Sequence, residues 1–391
     1  MTGHSRLAPS SAFRWVPCPL SVALSEEFPA LKQDPSGPEG TAAHEVWNWM
    51  LDGLVPDVGT LTSERIPVTI EMIDGAWQFV DKIKSIVDPY QAMHKARFEQ
   101  SLTMHGIHPL MHGTPDADLD LLEECGEYHI GDYKFGHRSV SPFENWQCTG
   151  YTFGAFERLG LSPSQIDNSK VFFHIVQPRC FHNRPASGTW ETTGRDLRRL
   201  WDKMRRSADE AITLETAATP NMGPHCRDCP GRRACPTFRR NAGANIDWVN
   251  WSKPVQMDTE SAGIELSYVT AALEQLKSYK DALEQQVEFE LQQGGFSPHW
   301  SMQPTAGRGR DWTIDNETLF AMGDALEIDL RQPAQPITPS QAMSNREFKK
   351  KGFDSELIAE YSKPKPGSVA LKPKTDTLAS RVFGAKKNGM A

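Results

Sequence analysis

The sequence predicts an α/β fold. Amphipathic helical stripes precede and follow a central group of strand-like segments, an order that favours a sheet flanked by helices. At 391 residues, with ordinary apolar and charged contents, the chain is long enough for a large core and is not globally disordered.

The elements follow in order. Residues 1–38 read as an irregular lead-in carrying Cys18, with Pro and Gly gathered at Asp34-Pro35-Ser36-Gly37-Pro38. A helix is expected from about Thr41 to Leu51, where Ala43, Trp47, Met50 and Leu54 recur at helical spacing. A second, about Glu71–Val87, sets Met72, Ile73, Ala76, Phe79, Val80, Ile83 and Val87 on one stripe. Arg97–Met104, Ala117–Leu122 and Glu127–Phe135 read as successive strands. Ser141-Pro142-Phe143-Glu144 has the form of a capping box, and Gly160 that of a helix end. Lys170–Val176 reads as a buried strand and Asp196–Glu215 as a basic helix.

Further on, Leu266, Val269, Leu273, Leu276, Leu283 and Val287 follow alternating three- and four-residue steps, interrupted by Lys280. One long helix is expected, and so short a seam favours packing within the chain over dimerisation. Residues 296–337 suggest a strand-and-loop insert, and Ile337–Tyr361 two small helices started near Ser340 and broken near Gly352. The Pro/Lys-rich tail after Ser362 reads as extended or partly disordered. The expected organisation is a lead-in (1–40), a core closed by a cysteine group (41–240), a long helix with its insert (241–336) and a basic helical region (337–391).

The net charge of −8 does not by itself suggest a nucleic-acid binder. Charge is uneven, however. Arg195–Arg206 and Arg227–Arg240 are basic, and from Gln341 onward 11 Lys and Arg face 5 Asp and Glu. There is no run of 18 apolar residues, and Pro17 and Pro19 interrupt the apolar stretch near the start. A soluble, cytoplasmic protein without membrane partners is expected.

The chemistry concentrates in Gly113-Thr114-Pro115-Asp116, then Asp132-Tyr133-Lys134, then Gln147 and Tyr151. Strand alternation sends Asp132 and Lys134 to one side. Two carboxylates can hold a divalent cation, and a neighbouring lysine can orient or help deprotonate water, which is what phosphodiester hydrolysis needs. The acids of Asp116-Ala117-Asp118-Leu119-Asp120-Leu121 could equally form a solvated strand face. Gln147 and Tyr151 lie one helical turn apart and suit phosphate or sugar contacts. His44, in Glu39-Gly40-Thr41-Ala42-Ala43-His44-Glu45, can add an imidazole ligand, with Glu45 or Glu39 the substitutes if it does not.

This order of motifs resembles the RecB-like branch of the PD-(D/E)XK nucleases, and the stretch from Cys18-Pro19 to Glu45 resembles an uncharacterised phage-borne subfamily. The resemblance covers roughly residues 10–240. It implies a restriction-endonuclease-like core with a central mixed sheet, and a metal-dependent deoxyribonuclease, an exonuclease serving phage recombination or replication in a bacterial host cell. It assigns Mg²⁺ or Mn²⁺ to His44, Asp116 and Asp132, catalysis to Asp116, Asp132 and Lys134, and DNA contacts to Gln147 and Tyr151. DNA is the implied partner, together with a phage single-strand-binding or annealing protein.

His225-Cys226-Arg227-Asp228-Cys229-Pro230 and Cys235-Pro236 place three cysteines close together, so a four-thiolate site needs a distant fourth. Cys18, between two prolines, is the candidate; Cys125, Cys148 and Cys180 lie among core elements. RecB-like nucleases with an iron–sulfur staple resemble this layout, which implies a [4Fe-4S] cluster on Cys18, Cys226, Cys229 and Cys235, closing a loop of about 200 residues. Structural zinc competes, although only one C-x2-C knuckle is present. Two other functional readings remain: a non-catalytic DNA-binding or scaffold protein that keeps the nuclease fold, and a zinc-stabilised interaction protein.

Overall fold

The computed structural model describes residues 5–31, 36–180, 187–249, 258–304, 310–330, 338–339, 342, 348, 351, 355–364 and 369–373. These form an α/β protein in two compact units, 1–283 and 284–391.

The first unit is built on a mixed five-stranded sheet in the order β1-β4-β5-β6-β7. Its strands are β1 (Ala96–Phe98), β4 (Ala117–Leu121), β5 (Glu127–Tyr133), β6 (Lys170–Val176) and β7 (Ser187–Thr193). β5 and β6 are parallel and the other pairs antiparallel. The parallel pair needs a crossover, supplied by α5 (Trp146–Leu159) and α6 (Pro163–Asn168).

Alternation along the strands gives the sheet two apolar faces. Ala117, Leu119, Leu121 and Tyr133 join α3 (Ser36–Leu51) and α4 (Ile70–Val87) in one core. Tyr128, Ile130, Val171 and Phe173 join α5 and α7 (Gly194–Thr213) in the other. Helices therefore cover both faces, and β5, central in the sheet, is buried along nearly its whole length.

Several local expectations are corrected. The lead-in is helical in part, with α1 (Ala12–Trp15) and α2 (Ser21–Glu27), because Leu7, Ala12, Trp15 and Val16 are core residues. The single strand expected over Arg97–Met104 is two, β1 and β2 (Leu102–Thr103); β2 pairs instead with β3 (His112–Gly113). The break falls at Glu99, whose φ of 47° lies in the left-handed region. The helix expected at Ser141 begins at Trp146: Asn145 caps it, its side chain accepting from the Cys148 amide at 3.1 Å, while Glu144 has a φ of 47°. Gly160 does end it, at a φ of 64°.

In the cysteine region two short 3-10 turns, Pro224–Asp228 and Pro230–Ala234, lead into α8 (Pro236–Val249). The long helix is α9 (Thr259–Gln292).

The second unit holds two small antiparallel ribbons, β8 (Trp300–Pro304) with β11 (Val369–Pro373) and β9 (Arg310–Trp312) with β10 (Ser362–Pro364). Leu319, Ile328, Leu330, Ala342 and Ile358 form its small core, reached by α10 (Asn316–Ala325) and α11 (Ser355–Glu360). The strand-and-loop reading of 296–337 missed α10, whose N-cap Asp315 accepts from the Thr318 amide at 2.8 Å. Part of the expected tail is also strand, at β10 and β11. Most of the helix expected near Ser340 and the basic stretch after residue 373 lie outside the described residues. Among the described residues no helix is long and apolar enough to cross a membrane.

Candidate active centre and cysteine cavity

The register of β4 on β5 pairs Ala117 with Gly131, so Asp116, one residue earlier, stands opposite Asp132. The Tyr133 amide donates to Asp116 Oδ2 at 2.6 Å, fixing one carboxylate oxygen. Asp132 points to the α5 side, where its Oδ1 accepts from Lys134 Nζ at 2.7 Å and from Gln147 Nε2 at 2.9 Å. Lys134 also donates to Gln147 Oε1 at 3.3 Å. Asp132 Oδ2 is buried and has no hydrogen-bond partner among the described residues.

From the opposite layer, α3 supplies His44. Its Nε2 lies 3.1 Å from the Tyr133 carbonyl oxygen, a group that can only accept, so Nε2 carries the proton. Nδ1 faces Asp116 Oδ1 at 3.5 Å and Glu99 Oε1 at 3.9 Å. A ring tethered in this way is oriented as a ligand imidazole commonly is. Sequence reading missed Glu99, which reaches the centre through its left-handed backbone; Asn48 Nδ2 holds Glu99 Oε2 at 2.7 Å. No sequence signal marked it, since the expected strand ran through this position to Met104. Glu39 is taken by Arg179 at 2.7 Å and Glu45 by Ser63, so the two substitutes named for His44 face other partners.

Burial raises the pKa of Asp116, and Asp132 adds to the rise against the pull of His44 and Lys134. For Lys134, desolvation pulls downward, but Asp132 and Asp116 outweigh it and the net shift is upward. Lys134 is therefore an ammonium in this arrangement. Tyr151 is buried within the α5 core, with burial raising its pKa and Gln147 beside its hydroxyl. Gly113 is needed close by: a Cβ there would stand 2.9 Å from Pro9 and 3.2 Å from the Tyr151 ring.

The neighbouring Asp118 does different work. It is fully buried, takes Arg158 at 2.7 Å and the Tyr128 hydroxyl at 2.7 Å, and lies 3.5 Å from Arg97. Asp118 is thus part of a buried ion-pair network beneath α5, whereas Asp120, further along the same face, is half-buried and accepts from the Leu122 amide at 3.3 Å.

Cys18, Cys226, Cys229 and Cys235 line one small cavity with His225, Arg232 and Phe238. Cys125, Cys148 and Cys180 are not part of that lining. Burial raises the pKa of Cys18, Cys226 and Cys229, that of Cys226 to about 11, and the other thiols add to each rise. Backbone amides of Asn221 and Phe238 lie 3.4 and 3.5 Å from the sulfurs of Cys18 and Cys235, respectively. Gly231 lets the turn approach α2, since a Cβ there would fall 2.6 Å from Leu24. Among the described residues, no three His, Cys, Asp or Glu side chains are grouped as ready metal ligands, here or at the acidic centre.

Fold and site define a three-layer α/β protein with a desolvated acid–lysine–histidine centre at the carboxyl end of a central strand. The chain belongs to the DUF2800 family, described as a protein of unknown function, whose model matches residues 4–378. Among solved structures, the crystal structure of SSO0001 is similar at 13% identity, covering 56% of this chain and 94% of that one. Its TM-score of 0.24 is too low for the likeness to carry an argument.

Proposed function

We propose that the chain is a metal-dependent deoxyribonuclease of the RecB-like PD-(D/E)XK type, with a restriction-endonuclease-like core. The observation that carries the reading is the meeting of His44, Asp116, Asp132, Lys134 and Gln147 from four separate elements at one polar centre. Structural ion pairs alone do not explain a buried Asp132 oxygen left without a partner in a centre where His44 Nδ1 faces Asp116 and Glu99.

The donor chemistry fits a hard divalent cation such as Mg²⁺ or Mn²⁺. His44, Asp116 and Asp132 would hold it, with Glu99 as a further oxygen donor. Bound there, the cation would polarise the phosphate and make a bound water more acidic. Lys134, held by Asp132 and Gln147, serves as a charged clamp on the phosphate rather than as a base. Gln147 orients Lys134 and can reach the nucleic acid, and Tyr151 supports Gln147 from the core. Exonuclease action, and a role in phage recombination or replication, rest on the family resemblance. The test is digestion of end-labelled DNA with Mg²⁺ or Mn²⁺ and with EDTA. Asp132→Ala should abolish cation-dependent cleavage and Lys134→Ala should reduce the rate by roughly a hundredfold or more. Digestion by the Asp132 variant at the wild-type rate would overturn the assignment.

For the cysteine cavity we propose a structural [4Fe-4S] cluster. The supporting features are four thiols around one cavity, amides near two of the sulfurs, and the half-buried Arg14, whose Nε is shielded from solvent without a hydrogen-bond partner among the described residues and whose charge interacts with Cys229 and Cys18. A cationic side chain desolvated beside sulfur suits ligands that bind as thiolates. Iron and zinc analysis of anaerobically prepared protein decides between this cluster and structural zinc.

A further inference from the structure

The helix α9 has two faces with different surroundings. On one, Ser278 and Ala282 are buried, Gln275 accepts from Asn245 at 2.9 Å, and Tyr279 meets Phe238 edge-on at 6.0 Å. The heptad row Leu266, Val269, Leu273, Leu276, Lys280, Leu283 lies roughly 140° around the helix from that contact, at 100° per residue. Leu266, Leu273 and Leu283 are 66%, 62% and 40% exposed. Val269, Leu276 and Val287 of the same row are half-buried, so the seam packs within the chain only in part. Scattered exposed leucines are ordinary, but a row at three- and four-residue steps is the pattern of a helix–helix seam.

We propose that a second copy of this chain docks on the seam, forming an antiparallel two-helix coiled coil. Charge selects the orientation. A parallel, in-register pair would set Lys280 against its own counterpart inside the seam. Antiparallel pairing centred between Leu273 and Leu276 sets these two against each other and brings Leu266 onto Leu283. It places Lys280 against Val269, where the lysine stem covers the valine and the ammonium reaches water. The row is thus self-complementary, which is what a two-fold interface requires. This proposal does not depend on the nuclease reading.

Sedimentation equilibrium of the full chain, at concentrations up to about 100 μM, tests it. The mass should rise from 43.8 kDa toward twice that value. Leu273→Glu and Leu276→Lys should each weaken association by at least roughly tenfold, with the helix content of the dilute monomer unchanged. The double variant L273E/L276K should associate again, since each introduced carboxylate would meet the introduced ammonium of the other copy. If a single variant fails to fold, Lys280→Leu serves instead and should tighten association. A wild-type monomer at every concentration, association indifferent to Leu273→Glu, no recovery in the double variant, or an unchanged Lys280→Leu protein would each overturn the proposal.

Discussion

Asp116, Asp118 and Asp132 are alike in the sequence but differ in their surroundings. Asp118 has its charge matched by Arg158 and shares Tyr128, whereas one oxygen of Asp132 is left unpaired. Removing one member of a buried ion pair leaves an uncompensated charge, so Asp118→Ala should destabilise the fold by about 3–5 kcal/mol in chemical denaturation. Asp132→Ala also takes a partner from Lys134, but that side chain is about a third exposed and keeps Gln147, so the variant should cost less stability than Asp118→Ala while removing cleavage. Equal losses of stability would show that both acids are structural.

A second residue-scale prediction concerns His129 and His174, whose rings stack and share a 3.1 Å hydrogen bond. Burial lowers both pKa values, that of His129 to about 4. The unfolded chain therefore takes up protons first as pH falls below about 6.5, and stability is lost from there down toward pH 4. For His129 the loss should be about 1.5 kcal/mol between pH 6.5 and 5, with a further loss from His174. His129→Phe should flatten the pH dependence of the melting temperature; an unchanged slope would refute this account.

Among elements, the N-terminal turns gain most from tertiary context. α1 has only four residues, too few to be stable alone. Trp15 anchors it, fully buried in the α5/α7 core with its indole N–H donating to the Ala8 carbonyl at 3.1 Å, while Ser207 donates to the Val16 carbonyl at 2.8 Å. Trp15→Ala should cost about 3–5 kcal/mol and lower the melting temperature of the whole first unit. A shift under about 1 kcal/mol would mean that the N-terminal turns are peripheral. The element β1 is short for a related reason. Turning the chain at Glu99 ends the strand and delivers a carboxylate to the centre, a use that strand propensity does not reveal.

At the scale of the whole molecule, the cysteine cavity joins the start of the first unit to residues some 200 positions later. A cluster held there would restrict the unfolded chain and stabilise the fold globally. Cys18→Ala should therefore remove the visible absorption of anaerobic protein and lower its melting temperature, whereas Cys125→Ser should change neither substantially. Full iron retention without Cys18 would assign the fourth ligand elsewhere.

The sequence by itself determined the α/β class, the helices α3 and α4, the strands β4 to β6, and which acids, lysine and cysteines to follow into the structure, because periodicity and residue chemistry are local properties. Only the tertiary structure decided which acid is buried in an ion pair, that Glu99 joins His44 and Asp116, that Tyr151 is core, and that leucines of the heptad row stay exposed. Those outcomes depend on strand register and on what packs over each face. These are contacts between segments far apart in the chain, and no local pattern encodes them.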